Sequence, residues 1–253
     1  MRKVTLSLAL VISAGGLIAA PQANADTVFG VYAGAQTWKA DTSGSFGSER
    51  STSDFSFADD QQGSAYIAFE HPIPLFPNVK VRHNDLVTDG SQLLNEDFSF
   101  FGTNFAANSR VNYTADLSHT DYTLYYELFD NDLVSFDLGV TAKRVDGSIE
   151  VRGEQTLQGQ STDGWIPTLY SQLRVGIPAT DLTLYGLANA VSIEDSKVED
   201  YEFGVEYRPI ENLAVDVNLQ LGYRVFNVEL DDLDGVYSNL EYKGPYLGIE
   251  FHF

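Results

Sequence analysis

The sequence predicts an all-β fold, a ten-stranded antiparallel up-and-down β-barrel, on three observations. Apolar and polar residues alternate strictly along many segments, which is the period of a strand with two unlike faces. The connections between these segments alternate in length, short and then long. Beyond residue 25, no window approaches the ~20 apolar residues of a membrane helix.

In chain order, strands are expected near 27–38, 64–71, 78–88, 110–129, 133–152, 165–177, 182–194, 200–208, 213–230 and 240–253. The first ends in "QTW" and carries Tyr32; the second places Glu70, and the third Lys80 and Arg82, on its polar face. The fourth contributes Glu127. In the fifth, "VSFDLGVTAK" sets Val134, Phe136, Leu138 and Val140 against Ser135, Asp137, Thr141 and Lys143. The sixth contributes Arg174, and the seventh follows the turn "PATD". "YEFGVEYR" is the plainest case, with Tyr201, Phe203, Val205 and Tyr207 against Glu202, Gly204, Glu206 and Arg208. "LAVDVNLQLGYRV" repeats the pattern, with Asp216, Asn218, Gln220 and Arg224 on its polar side. The tenth strand, "PYLGIEFHF", puts Leu247, Ile249, Phe251 and Phe253 opposite Gly248 and Glu250. Eight or twelve strands would follow if the long segment 110–152 divides differently.

Short connections fall at 72–77, 130–132, 178–181 and 209–212, and longer polar ones at 39–63, 89–109, 153–164, 195–199 and 231–239. All tight turns therefore lie at one end and the long loops at the other. That is the plan of a barrel crossing an outer membrane, with both termini on the short-turn side.

Alternation alone does not say which face is buried. The polar face is dense in charge: Glu70, Lys80, Arg82, Glu127, Asp137, Arg174, Glu202, Glu206, Arg208, Asp216, Arg224 and Glu250. Such residues can pair across a narrow lumen, where an unpaired charge would be costly. Tyr201 and Tyr207 bracket the apolar face, about 20 Å apart at strand rise. A lipid band ~25 Å tall fits between them at a tilt. The apolar face is therefore expected to meet lipid, and a secreted soluble barrel or sandwich is the competing expectation.

Residues 1–25 read as a signal peptide: Arg2 and Lys3, an apolar stretch, then "ANA" (Ala23, Asn24, Ala25) before Asp26. Residues 26–253 form the barrel domain. With Arg2 and Lys3 removed, 13 of the 15 basic residues remain against 36 acidic ones. That balance argues against nucleic acid as a partner. The absence of Cys excludes a disulfide framework, a Cys-ligated metal, a thiol nucleophile and a lipoprotein anchor. No cofactor is expected.

The terminal strand resembles the C-terminal sorting signal of Gram-negative outer-membrane barrels, with Tyr246, Gly248, Phe251 and Phe253 on its positions. That resemblance implies recognition by the barrel assembly machinery. Over its mature length the chain resembles small outer-membrane β-barrel proteins of uncharacterised families, a likeness strengthened by "FEHPIPLFPNVKVR" and "LSHTDYTLYYEL". Such families bring no established activity.

Candidate chemistry is sparse. In "LSHTD", His119 and Asp121 share a strand face while Ser118 points away, so the pair is half of a hydrolase site with no nucleophile. Glu202 and Glu206 are ~13 Å apart along a strand, too far for a paired-carboxylate glycosidase. In "LDDLDGVYSNLE", Asp232, Asp234 and Glu241 fall on calcium-loop positions, but Leu230 stands where the first ligand should be. Acids in the long loops (Asp54, Asp59, Asp60, Glu194, Asp195, Glu199, Asp200, Asp231, Asp232, Asp234) form a solvated surface or attract cations that bridge to lipopolysaccharide phosphates. The expected role is structural or surface-interacting and non-enzymatic, in contact with outer-membrane lipid and lipopolysaccharide. A lipid or peptide hydrolase using His119 and Asp121, and a narrow small-solute channel, are the alternatives.

Overall fold

The computed structural model describes residues 29–48, 52–131, 133–193, 196–212, 215–233 and 235–253. The proposed signal peptide lies outside these residues, as do Glu194, Asp195 and Asp234. Ten strands form the wall: β1 Gly30–Gly47, β2 Asp60–Glu70, β3 Asn78–Asp85, β4 His119–Asp130, β5 Val134–Arg152, β6 Leu157–Gly176, β7 Leu182–Ile193, β8 Ser196–Ile210, β9 Asp216–Leu233 and β10 Val236–His252. Each pairs antiparallel with its sequence neighbour, and β10 pairs with β1 to close the barrel, from Tyr32 opposite His252 to Gly47 opposite Tyr237. All ten expected strands are present.

The apolar face points outward. Leu221, Phe203, Val140 and Leu247 are 55–61% exposed, whereas Arg224, Glu202 and Glu250 are at most 3% exposed. This is the inverse of a soluble barrel, and it is the arrangement in which lipid is the solvent of the apolar side. Aromatics cluster near the two ends of that surface, Trp165 against Tyr122 toward the outer loops and Phe251 against Phe253 toward the turns. The first and last wall strands meet at the turn end, where Val31 and Phe253 exchange backbone hydrogen bonds of 3.3 and 2.9 Å.

Three features depart from the sequence reading. First, the strands outlast their expected limits at the loop end. β6, β9 and β10 run for 20, 18 and 17 residues, well beyond the ~9–11 needed to cross a bilayer. The long connections expected at 153–164, 195–199 and 231–239 therefore shrink to 153–156, 194–195 and 234–235, because ladder pairing satisfies their backbone better than water-exposed loop would.

Second, the segment 110–129 is broken at Leu117–Ser118. The amide of Ser118 bonds Asp116 Oδ1 at 2.9 Å, and Ser118 Oγ accepts from the Leu86 amide at 3.1 Å. The outer piece, Arg110–Asp116, then pairs with Val87–Leu93 on one side and with Ser148–Arg152 of β5 on the other. Gly147 permits that crossing, since a Cβ there would lie 2.4 Å from the Asp116 carbonyl oxygen.

Third, the connection 89–109 is not a simple polar loop. The third strand ends at Asp85, a separate strand Val87–Leu93 runs into the connection, and within it lies a small hairpin, Phe98–Phe100 with Thr103–Phe105.

Candidate functional site

Inward side chains divide the lumen into three levels. At the turn end a polar cavity of about 230 Å³ is walled by Glu70, Lys80, Tyr125, Glu127, Asp137 and Arg208. Tyr125 donates to Glu70 Oε1 at 2.8 Å, and Lys80 Nζ sits 4.3 Å over the Tyr66 ring. Glu127 faces Asp137 across the β4–β5 ladder, with Asp137 buried and Glu127 open to the mouth. Asp216 Oδ2 lies 3.9 Å from His252, whose ring stacks on Tyr32.

The middle level is a network of ion pairs. Arg174 reaches Glu250 at 3.3 Å and Glu206 at 3.8 Å. Asn218 donates to Glu250 at 3.1 Å, and Tyr66 adds a short hydrogen bond to the same carboxylate. Arg208 joins through Asn218 at 3.2 Å. Above them Arg82 pairs with Glu202 and also reaches Gln36 and Ser64. Arg224 grips Asp200 through two bonds of 2.8 and 2.7 Å and lies 3.5 Å from Glu202. At this level each buried carboxylate has a cation beside it, the condition under which buried charge is tolerated.

Sequence reasoning placed Asp200 among the surface acids; it is in fact 1% exposed inside the lumen. Asp200 shares parity with Glu202 and Glu206 on β8, so carrying the alternation one step further out would have found it. Lys143, Gln36 and Asn84 also belong to the network.

His119 and Asp121 do share the inner face of β4, but their nearest atoms are 4.0 Å apart, beyond hydrogen-bond reach. Asp121 is held instead by Lys143, at 2.8 and 3.0 Å. His119 Nδ1 lies 2.8 Å from the Leu117 carbonyl, and the imidazole stacks on Phe226. His119, Asp121 and Asp200 place ligand atoms within 4.8 Å of one another. Lys143 and Arg224 already neutralise the two carboxylates, so the donor set does not suit a metal ion.

The stretch 230–241 is a hairpin in which Leu233 opposes Val236. Glu241 pairs with Lys243 on its own strand, and Asp232 sits in the left-handed region at φ 63°.

In the terminal strand, Tyr246 points inward and its hydroxyl meets that of Tyr185, while Phe253 is exposed. Gly248 leaves room for Gln220, whose Oε1 would lie 2.7 Å from an added Cβ. Deleting Phe253 is expected to reduce the faster-migrating unboiled band in outer-membrane extracts several-fold, read on gels of boiled and unboiled samples.

The upper level is apolar, which sequence reasoning missed. Trp38, Phe46, Phe55, Phe98, Phe100 and Tyr113 form its centre, joined by Val111, Ile149, Phe226 and Leu240. Phe46 stacks on Phe55 at 4.0 Å and meets Phe98 and Phe100 edge-on. Four phenylalanines within "FSFFGTNF" (98–105) were the available signal, since a solvated loop has no use for them. At the junction of the two levels the Arg224 guanidinium lies 4.9 Å from the Trp38 ring centre, a cation–π contact.

No protein-family model matches the sequence, and neither does any curated protein sequence. Among solved structures, the transport unit of the Escherichia coli autotransporter AIDA-I matches at 8% identity and TM-score 0.38, covering 89% of this chain and 90% of that one. A Pseudomonas aeruginosa FadL homologue matches at 8% identity and TM-score 0.31, with 89% and 90% covered. The P. putida toluene transporter TodX matches at 9% identity and TM-score 0.31, with 90% of each chain covered.

Proposed function

We propose that this outer-membrane β-barrel neither conducts solutes nor catalyses a reaction, and acts at the cell surface through its outer loops. The observation that carries the reading is the double filling of the lumen. The Arg82–Glu202–Arg224–Asp200 network lies beneath an aromatic cap, so among the described residues paired charges and then aromatic rings stand between the turn-end cavity and the outside. Barrels of this size have interiors that side chains can fill. Against hydrolysis stand the separation of His119 from Asp121 and the orientation of Ser118, whose Oγ is bonded to the Leu86 amide. Export by the signal peptide, handling by the barrel assembly machinery and contact with lipopolysaccharide are parts of the same proposal.

Conductance in planar bilayers is the direct test. The intact chain is expected to add no resolvable current steps above the lipid background. Reproducible steps from the intact chain, changed in size when Arg82 is neutralised, would establish a channel through this lumen instead. A His119→Ala chain is expected to leave lipid A profiles and peptide cleavage unchanged; a loss of either would put a hydrolase in its place.

A further inference from the structure

The turn-end cavity holds more acid than its own cations neutralise. Six carboxylates line it, against Lys80, Arg174 and Arg208. Glu206 and Glu250 share Arg174, at 3.8 and 3.3 Å, and Arg208 is bonded to Asn218. Lys80 is turned onto the Tyr66 ring, 4.3 Å from its centre. Glu70, Glu127 and Asp137, from β2, β4 and β5, form no ion pair with any described residue.

Asp137 is the sharpest case. It is 7% exposed and lines the cavity, and no hydrogen bond or ion pair joins it to another described residue. Directly opposite it in the β4–β5 ladder stands Glu127, a like charge where a sheet favours an opposite one. Glu70 lies within hydrogen-bonding reach of Glu127, and the Tyr125 hydroxyl donates to Glu70 at 2.8 Å. A hydroxyl solvates a carboxylate without neutralising it, so three like charges crowd one side of the cavity. Buried polar groups are nearly always paired, and a buried carboxylate calls for a positive charge.

The surroundings decide which kind of cation suits them. Glu70, Glu127 and Asp137 do not converge as metal ligands do: among the described residues, the trio with ligand atoms within 4.8 Å of one another is His119, Asp121 and Asp200. Calcium takes about 6–8 oxygens at about 2.3–2.6 Å, a closer set than these three offer. An ammonium ion needs only charge-assisted bonds to two carboxylates and the face of a ring. Tyr125 and Tyr170 wall the same cavity with ring centres 5.6 Å apart. The seat of Lys80 on Tyr66 is the same kind of contact, made by the chain itself. The cavity, about 230 Å³, exceeds the ~150 Å³ that takes a benzene ring, so a short alkyl amine fits.

We propose that the turn-end cavity binds the ammonium group of a small organic amine, held between Glu127 and Asp137 with Glu70 beside them. The amine enters from the side of the short turns, and its alkyl part lies along the tyrosine rings. This site is at the opposite end of the barrel from the outer loops, and it adds a binding role to the surface reading.

The test is calorimetric titration of diaminobutane into the full chain in phosphatidylcholine nanodiscs, after heat-modifiability has shown the barrel to be folded. The uncharged lipid surface and about 0.15 M salt suppress diffuse charge attraction. Saturable binding is expected for diaminobutane and none for butanediol, its uncharged isostere. Asp137→Asn should weaken binding by about tenfold or more, as loss of a hydrogen bond to a charged group predicts. Glu127→Gln, at the open mouth, should weaken it similarly and serves if Asp137→Asn fails to fold. Lys80→Met should tighten it severalfold by removing a like charge, and Asp54→Asn, an outer-loop acid, should leave it unchanged. Absence of saturable binding would overturn the proposal, since water or a shared proton then serves these acids. So would equal binding of butanediol, or displacement of diaminobutane by magnesium at equal concentration, which would mark a general cation site. Equal weakening by Asp54→Asn would overturn it as well.

Discussion

Replacing Arg224 by Met is expected to destabilise the barrel by ~3–5 kcal/mol, the cost of stranding a buried charge. Asp200 would lose both of its charge-assisted bonds, and Glu202 would lose one of its two neighbouring cations. Asp200 is 1% exposed and cannot turn to water. The loss should appear as a lower urea midpoint for conversion of the fast-migrating band to the slow one. Adding Asp200→Asn should recover most of it, because an amide in that place needs no counter-charge. The double substitution separates two accounts of the lumen. Recovery shows a dry, mutually neutralised network. If Arg224→Met alone costs under ~1 kcal/mol, the value of a solvent-screened pair, water reaches the middle level and the lumen is not sealed there.

Leu221→Arg tests which solvent the outer surface meets. Leu221 is 59% exposed on β9, between Val205 and Leu247 of the flanking strands. On a soluble protein an Arg at such a position falls within about ±0.5 kcal/mol. On a lipid face near the bilayer midplane it costs about 2–4 kcal/mol, falling to about 0–1 near the interface. Leu157, equally outward but at the loop-end tip of β6, supplies the comparison. In lipid vesicles Leu221→Arg is expected to lower folding stability by the larger amount and Leu157→Arg by the smaller. Equal and negligible losses at both positions would mean that the apolar exterior does not face lipid.

The fold was legible because an alternating strand carries its own period. Ten segments, their turns and the closure of the last on the first follow from residues such as Tyr201 to Arg208, in which every second side chain changes character. The faces were legible too, since twelve charged residues on one set of faces require a shared lumen. The outer third was not. Phe46 lies at the far end of β1, past its expected limit at 38, Phe55 in a strand of four residues, and Phe98, Phe100 and Phe105 in strands of three residues. Pieces that short display no period, and they bury their rings only against one another across the mouth.

The candidate site shows the same division. Alternation placed His119 and Asp121 on one face of β4, but their separation, and the capture of Asp121 by Lys143, depend on how neighbouring strands stagger. Asp200 was misplaced because sequence assigns an acid near a strand end to a loop, whereas its partner Arg224 comes from the next strand and draws it inside. Among the described residues the β6–β7 ladder stops at Leu169 opposite Ala190 because β6 outruns β7, and no local pattern announces that.

The sequence by itself determined the alternating strands and the inward charge, because side-chain direction along a strand is local. Only the tertiary structure decided the register, the aromatic cap and the overrun of β6 past β7, because these depend on which distant segments meet and how far each runs past its neighbour.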